Sequence, residues 1–189
     1  MFTSQLKMYG KHAYILKKYS KDSQAAEPVK FTLKDFDGNS KDIVVFDSMI
    51  KCFIFCATLG FAEKRTANED KSINVDANIF ADVLNTNRKT IERIYKQIVL
   101  SDESISKDDR IKLVFKKMSM EEDKAAEQVI LSYVRGGLEI LDEHLKDSFS
   151  YETFATNFLE LISHYNMEDE WWKLLITMFY LFQMGQDVI

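Results

Sequence analysis

The chain has 189 residues, 46% of them apolar, and carries 25 Lys and Arg against 30 Asp and Glu for a net charge of −5. That length fits one domain able to bury most of its surface without staples, and fourteen Phe, eight Tyr and two Trp exclude a disordered chain. One Pro and six Gly are too few for the turns of an all-β fold, and they leave no glycine-rich phosphate loop.

In chain order, residues 1–20 predict an N-terminal helix over Ser4–Tyr19, with Leu6, Tyr9, Ala13 and Leu16 on one face. Lys21–Pro28 is a polar linker. Val29–Phe36 alternates Val29, Phe31 and Leu33, turns at Asp37-Gly38-Asn39 and continues in Ile43–Phe46, a hairpin signal and the only expected β structure. Ser48 is placed to cap a helix over Met49–Leu59, which Gly60 would end. That helix is apolar all round, as a central core helix is.

A polar loop, Ala62–Asn74, leads to a helix over Asn78–Leu84, a break at Asn85–Asn87 and a helix over Arg88–Leu100 with Ile91, Ile94, Tyr95 and Ile98 inward. Ser106–Lys117 is expected to bury Ile111, Leu113, Val114 and Phe115. A long helix over Glu121–Leu145 is expected to bury Val129, Tyr133, Leu138, Leu141 and Leu145. Ser150 is placed to cap Tyr151–Tyr165, which carries Phe154, Phe158, Leu161, Ile162 and Tyr165 on a seam, and an apolar helix over Glu168–Met184 closes the chain. The expected fold is mainly α, a single helical bundle of seven to eight helices with one short β-hairpin near residues 29–46. One domain, 1–189, would hold the N-terminal helix (1–20), the hairpin (29–46), the central helices (48–145) and a C-terminal helix pair (150–185).

Charge is segregated. Residues 1–34 are net +5, residues 35–118 neutral and residues 119–189 net −10, which points to pairing of the two ends or to two different partner surfaces. The N-terminus lacks an apolar signal-peptide core, and the longest apolar stretches, Ile43–Ala57 and Trp171–Met184, fall short of the ~20 residues of a membrane span. A soluble, cytoplasmic protein is expected. Cys52 and Cys56, at i, i+4 in an apolar run, read as small buried hydrophobes of a reducing compartment.

No constellation points to catalysis. His12, His144 and His164 read as solvated helix-surface residues; Glu160 and Glu168 flank His164 at helical spacing, too few ligands for a metal site. No nucleophile elbow is present. Glu69-x-Lys71 and Glu122-x-Lys124 occur as chance triplets of a charged chain, and the acids at Asp108-Asp109, Glu121-Glu122-Asp123 and Glu168-Asp169-Glu170 complement helix N-termini. Neither catalytic residues, nor a metal, nor a cofactor is expected.

Two stretches stand out. Phe80–Ile94 has the order of a helix-turn-helix, whose second helix would present Arg88, Lys89, Arg93 and Lys96 to DNA phosphates, with Lys64 and Arg65 as further candidates; an ordinary solvated basic face gives the same pattern. Gly136 and Gly137 sit side by side inside the long helix, at a cost of about 1 kcal/mol each relative to Ala. Either a tight helix crossing or a partner-binding notch containing Tyr133, Gly136 and Gly137 accounts for them. The over-apolar tail, with Trp171, Trp172, Phe179 and Phe182, must be buried by its own fold or by a partner, a second copy included.

Tyr133-x-x-Gly136-Gly137-Leu138-x-Ile140-Leu141, following Phe55-Cys56-Ala57-Thr58-Leu59-Gly60-Phe61-Ala62-Glu63-Lys64-Arg65, resembles a family of small helical accessory proteins of bacterial DNA phosphorothioation (Dnd-type) and related anti-phage systems, over about residues 43–145. The resemblance implies a non-catalytic subunit of a multi-protein defence complex acting on DNA. Its implied partners are other subunits, a DNA-acting ATPase or nuclease among them; duplex DNA is the partner that the helix-turn-helix pattern would take.

Overall fold

The computed structural model describes residues 5–21, 28–34, 40–103, 105–115 and 120–163. Among these the chain is mainly α, with seven helices and two two-stranded antiparallel sheets. It separates into two compact units, 1–143 and 144–189.

In the first unit the N-terminal segment is not helical from its start. Leu6–Tyr9 forms β1, and the helix, α1, spans Gly10–Tyr19. β1 pairs with β4, Asp76–Ile79, with Leu6 opposite Ile79 and Met8 opposite Ala77. Those four side chains are buried while Lys7 and Asp76 face solvent, the period-two pattern of a half-buried sheet. Gly10 makes the turn from strand to helix: its φ is +61, a backbone region that suits glycine, and its N–H donates to the Val75 carbonyl at 2.8 Å. The hairpin is therefore not the only β structure. β2, Lys30–Lys34, and β3, Ser40–Val44, form it as expected, with Phe31 buried; its turn lies outside the described residues.

α2, Met49–Ala62, is the core helix, burying Ile50, Leu59, Gly60 and every residue from Cys52 to Ala57. Gly60 does not end it. The stop comes at Lys64, whose φ of 51 is left-handed, and the Arg65 N–H returns to the Gly60 carbonyl at 2.8 Å. Gly60 is needed for a close approach of another backbone. α3, Ala81–Thr86, follows, so the expected helix over Asn78–Leu84 starts later, after β4. α4, Arg88–Ser101, buries Ile91, Ile94, Tyr95 and Ile98 as its periodicity predicts.

In α5, Lys107–Phe115, Asp108 and Asp109 lie in the first turn and Ser106 caps it, accepting from the Asp109 N–H at 3.2 Å. Only Val114 is buried there; Ile111 is 45% and Phe115 74% exposed, against the expectation that both point inward. α6, Met120–Leu145, buries Ile130, Val134, Leu138, Leu141 and Leu145. Val129 is exposed and Tyr133 half-buried, because the deepest seam of the helix runs one residue further on, through Ile130, Val134, Leu138 and Leu141.

The second unit contains α7, Tyr151–Ser163. Ser150 caps it, its Oγ accepting from the Thr153 N–H at 3.2 Å, and Asn157 donates to the Ser148 Oγ at 3.0 Å. Phe154, Phe158 and Leu161 are buried, whereas Leu159 and Phe149 are exposed. The expected final helix, with Trp171, Trp172, Phe179 and Phe182, lies outside the described residues, as does His164. No described helix is long and apolar enough to cross a membrane.

Candidate functional site

Three glycines bring α2, α6 and the loop after α2 into backbone contact. A β-carbon at Gly137 would lie 1.9 Å from the Cys56 carbonyl oxygen, one at Gly60 2.0 Å from that of Tyr133, and one at Gly136 2.0 Å from that of Arg65. Any side chain at these positions would force the backbones apart. The Phe61 ring meets Tyr133 edge-on, with centroids 5.9 Å apart. The two sequence stretches that carry the family resemblance are thus the two sides of one crossing, and Tyr133, Gly136 and Gly137 are turned toward the chain's own backbone.

The crossing positions a charged face of α6. Arg135, Glu139, Asp142 and Glu143 recur at helical spacing and look toward α1 and the loop. Glu139 is the hub: it accepts from Lys11 Nζ at 2.7 Å, from His12 Nε2 at 3.1 Å and from Arg65 Nη2 at 3.2 Å. Arg65 also grips Glu143 through both terminal nitrogens, at 2.6 Å each. One turn along, Asp142 accepts from Lys18 Nζ at 2.7 Å and from the Tyr19 hydroxyl at 2.9 Å.

Protonation follows from this geometry. Burial works against the Glu139 carboxylate, but the hydrogen bonds from Lys11 and His12 outweigh it and hold its pKa below the usual range. The hydrogen bond to Glu139 raises the Lys11 pKa, and that to Glu143 raises the Arg65 pKa. His12 is 1% exposed, and burial pushes its imidazole toward the neutral form despite the bond to Glu139. The expectation of a solvated His12 therefore fails, since α1 turns it inward. Arg135, 7% exposed, has a single ion pair among the described residues, to Glu69 at 3.9 Å, and its Nε has no hydrogen-bond partner among them.

Of these network residues only Arg65 is singled out from sequence, as a candidate DNA contact rather than as part of an ion network. The signal was present in outline: the basic head and the acidic tail pair through Lys11 and Lys18 with Glu139 and Asp142. The network is a clamp in which each of Glu139, Asp142 and Glu143 is held by at least one cation. Glu69 pairs with Lys71 of its own triplet at 2.9 Å. No group of three or more metal-ligating side chains occurs among the described residues.

The candidate DNA-contacting residues separate. Arg65 is spent inside the clamp, Lys64 is an exposed cap residue, and Arg88 is held by Glu92 at 2.7 Å. Lys89, Arg93 and Lys96 are exposed along one face of α4. α3 and α4 are joined by Asn87 alone, which donates through Nδ2 to the Val83 carbonyl at 2.8 Å. That junction is tighter than the turn of about three to four residues in a helix-turn-helix.

The fold and its clamp define a small helical protein with a close backbone crossing and a partly buried ion network, and with a basic and an apolar helix face exposed to solvent. The chain belongs to the family described as DNA sulphur modification system-associated protein 4, whose model matches residues 24–174. No curated protein and no solved structure matches the chain.

Proposed function

We propose that the chain is a non-catalytic accessory subunit of a cytoplasmic bacterial anti-phage complex acting on DNA, and that it works by holding other proteins of a DNA sulphur modification system. Its family describes an associated protein of such a system. The observation that carries the reading is the outward pair Ile111 and Phe115, one turn apart on α5. Large apolar side chains kept in solvent at helical spacing favour a protein partner. Co-expression of a tagged chain with the other proteins of the system tests it: at least one of them co-purifies. A chain recovered alone under conditions where the others assemble would refute the reading.

A second reading, duplex DNA contact through α4, is favoured by the exposed Lys89, Arg93 and Lys96. It requires a salt-dependent shift of duplex DNA that the triple alanine variant loses.

A further inference from the structure

The exposed face of α4 is not purely basic. Lys89, Arg93, Lys96 and Leu100 recur at i, i+4, i+7 and i+11, so they fall on one narrow strip roughly 16 Å long. The strip begins with three cations and ends in a leucine that is 41% exposed. α5 adjoins it there: the Arg110 guanidinium donates to the Leu100 carbonyl at 2.8 Å. The next residue is the exposed Ile111, and Phe115 follows one turn on. Beside the strip, Arg88 is matched by Glu92, whereas among the described residues no ion pair holds Lys89, Arg93 or Lys96.

We infer that this α4–α5 surface docks an acidic amphipathic segment of a partner subunit, whose carboxylates meet Lys89, Arg93 and Lys96 and whose apolar side chains cover Leu100, Ile111 and Phe115. Charge complementarity selects the partner, since a cationic strip recruits carboxylates or phosphates. The apolar continuation then decides between them. A nucleic-acid backbone presents phosphate along its whole length and has nothing to place on a leucine, an isoleucine and a phenylalanine. An amphipathic helix with acids on one flank supplies both halves, and helix-on-face docking at this spacing is an ordinary protein–protein mode. The inference rests on the reading of the chain as a protein-binding subunit and names the surface and chemistry by which it binds.

The test uses the full chain and three probes: a 20-residue acidic amphipathic helical peptide of Glu and Leu, a poly-glutamate peptide of equal charge, and a 20-bp duplex. The amphipathic peptide binds most tightly, and the Lys89→Glu/Arg93→Glu pair and the Ile111→Ser/Phe115→Ser pair each weaken it about tenfold or more. All four side chains are exposed, and unchanged thermal melting confirms that the variants fold. Duplex binding tighter than peptide binding and indifferent to Ile111→Ser/Phe115→Ser would make the strip a nucleic-acid surface and overturn the inference. So would equal affinity for poly-glutamate. If the system's other proteins co-purify equally with wild type and with both variants, the accessory reading stands and this surface assignment falls; if none co-purifies with wild type, the accessory reading itself falls.

Discussion

Gly137 of α6 lies so close to Cys56 of α2 that a β-carbon on the glycine would fall 1.9 Å from the cysteine carbonyl oxygen. Elsewhere in a helix, replacing glycine by alanine gains stability, because the unfolded chain loses freedom and the helix gains a better former. Here the sign reverses. Gly137→Ala is expected to cost about 3 kcal/mol, the upper range for overpacking a closed contact, read as a lower urea midpoint. An unchanged or raised midpoint would show that α2 and α6 do not approach this closely.

Glu139→Gln removes the charge at the centre of the Lys11, His12 and Arg65 contacts. The side chain is largely buried and its partners lose their common acceptor, so a loss of about 1–3 kcal/mol is expected at pH 7. Because the folded-state pKa is depressed, wild type holds this stabilisation above the ordinary carboxylate value of 4.5 and loses it as pH falls below that value. The gap between wild type and Glu139→Gln should therefore narrow in urea melts taken below pH 4.5. A gap independent of pH would remove the ionic explanation.

His12 carries the opposite kind of term. Its folded-state pKa is lowered below the ordinary 6.5, chiefly by burial and further by Lys11 and Arg135, against the pull of Glu139. The unfolded chain therefore takes up the proton first, and stability declines as pH drops below 6.5 toward the folded value. Unfolding midpoints at pH 7.5, 6.5 and 5.5 should show that decline in wild type and a flatter profile in His12→Asn. A wild-type profile that rises over this interval would mean that His12 is charged in the folded protein.

Arg135 gives a test of the reverse kind. A buried guanidinium with one ion pair at 3.9 Å and an unpartnered Nε is a poor stabiliser. Arg135→Met keeps the volume and removes the charge, so stability should stay within about 1 kcal/mol of wild type or rise. A loss of several kcal/mol would indicate a tighter set of contacts than Glu69 provides.

Much of this was legible from sequence where the signal is local. The inward set Ile91, Ile94, Tyr95 and Ile98 of α4 follows from spacing alone, and Ser150 caps α7 where a cap was expected. The glycine pair announced a close approach without saying what approached, since Gly60 and Cys56 lie about eighty residues away in sequence. β1 was hidden for the same reason. Leu6 and Met8 fit a strand only because Ala77 and Ile79 stand opposite, and Leu6, Tyr9, Ala13 and Leu16 fit a helix equally well until Gly10 turns the chain at positive φ. Ile111 and Phe115 are expected inside because apolar character does not say which neighbour is present; α5 packs on α4 with only Val114 buried, and they are left outside. The Glu139 hub was invisible because its donors come from α1 and from the loop after α2.

The central claim is that the chain acts by holding other proteins. Its most direct test is the co-purification of the intact system around a tagged full-length chain, run beside Ile111→Ser/Phe115→Ser. The wild-type chain should bring down at least one other protein of the system in stoichiometric amount, and the variant, folded to the same melting temperature, should bring down markedly less. A wild-type chain that elutes alone while the remaining proteins assemble without it would contradict the account.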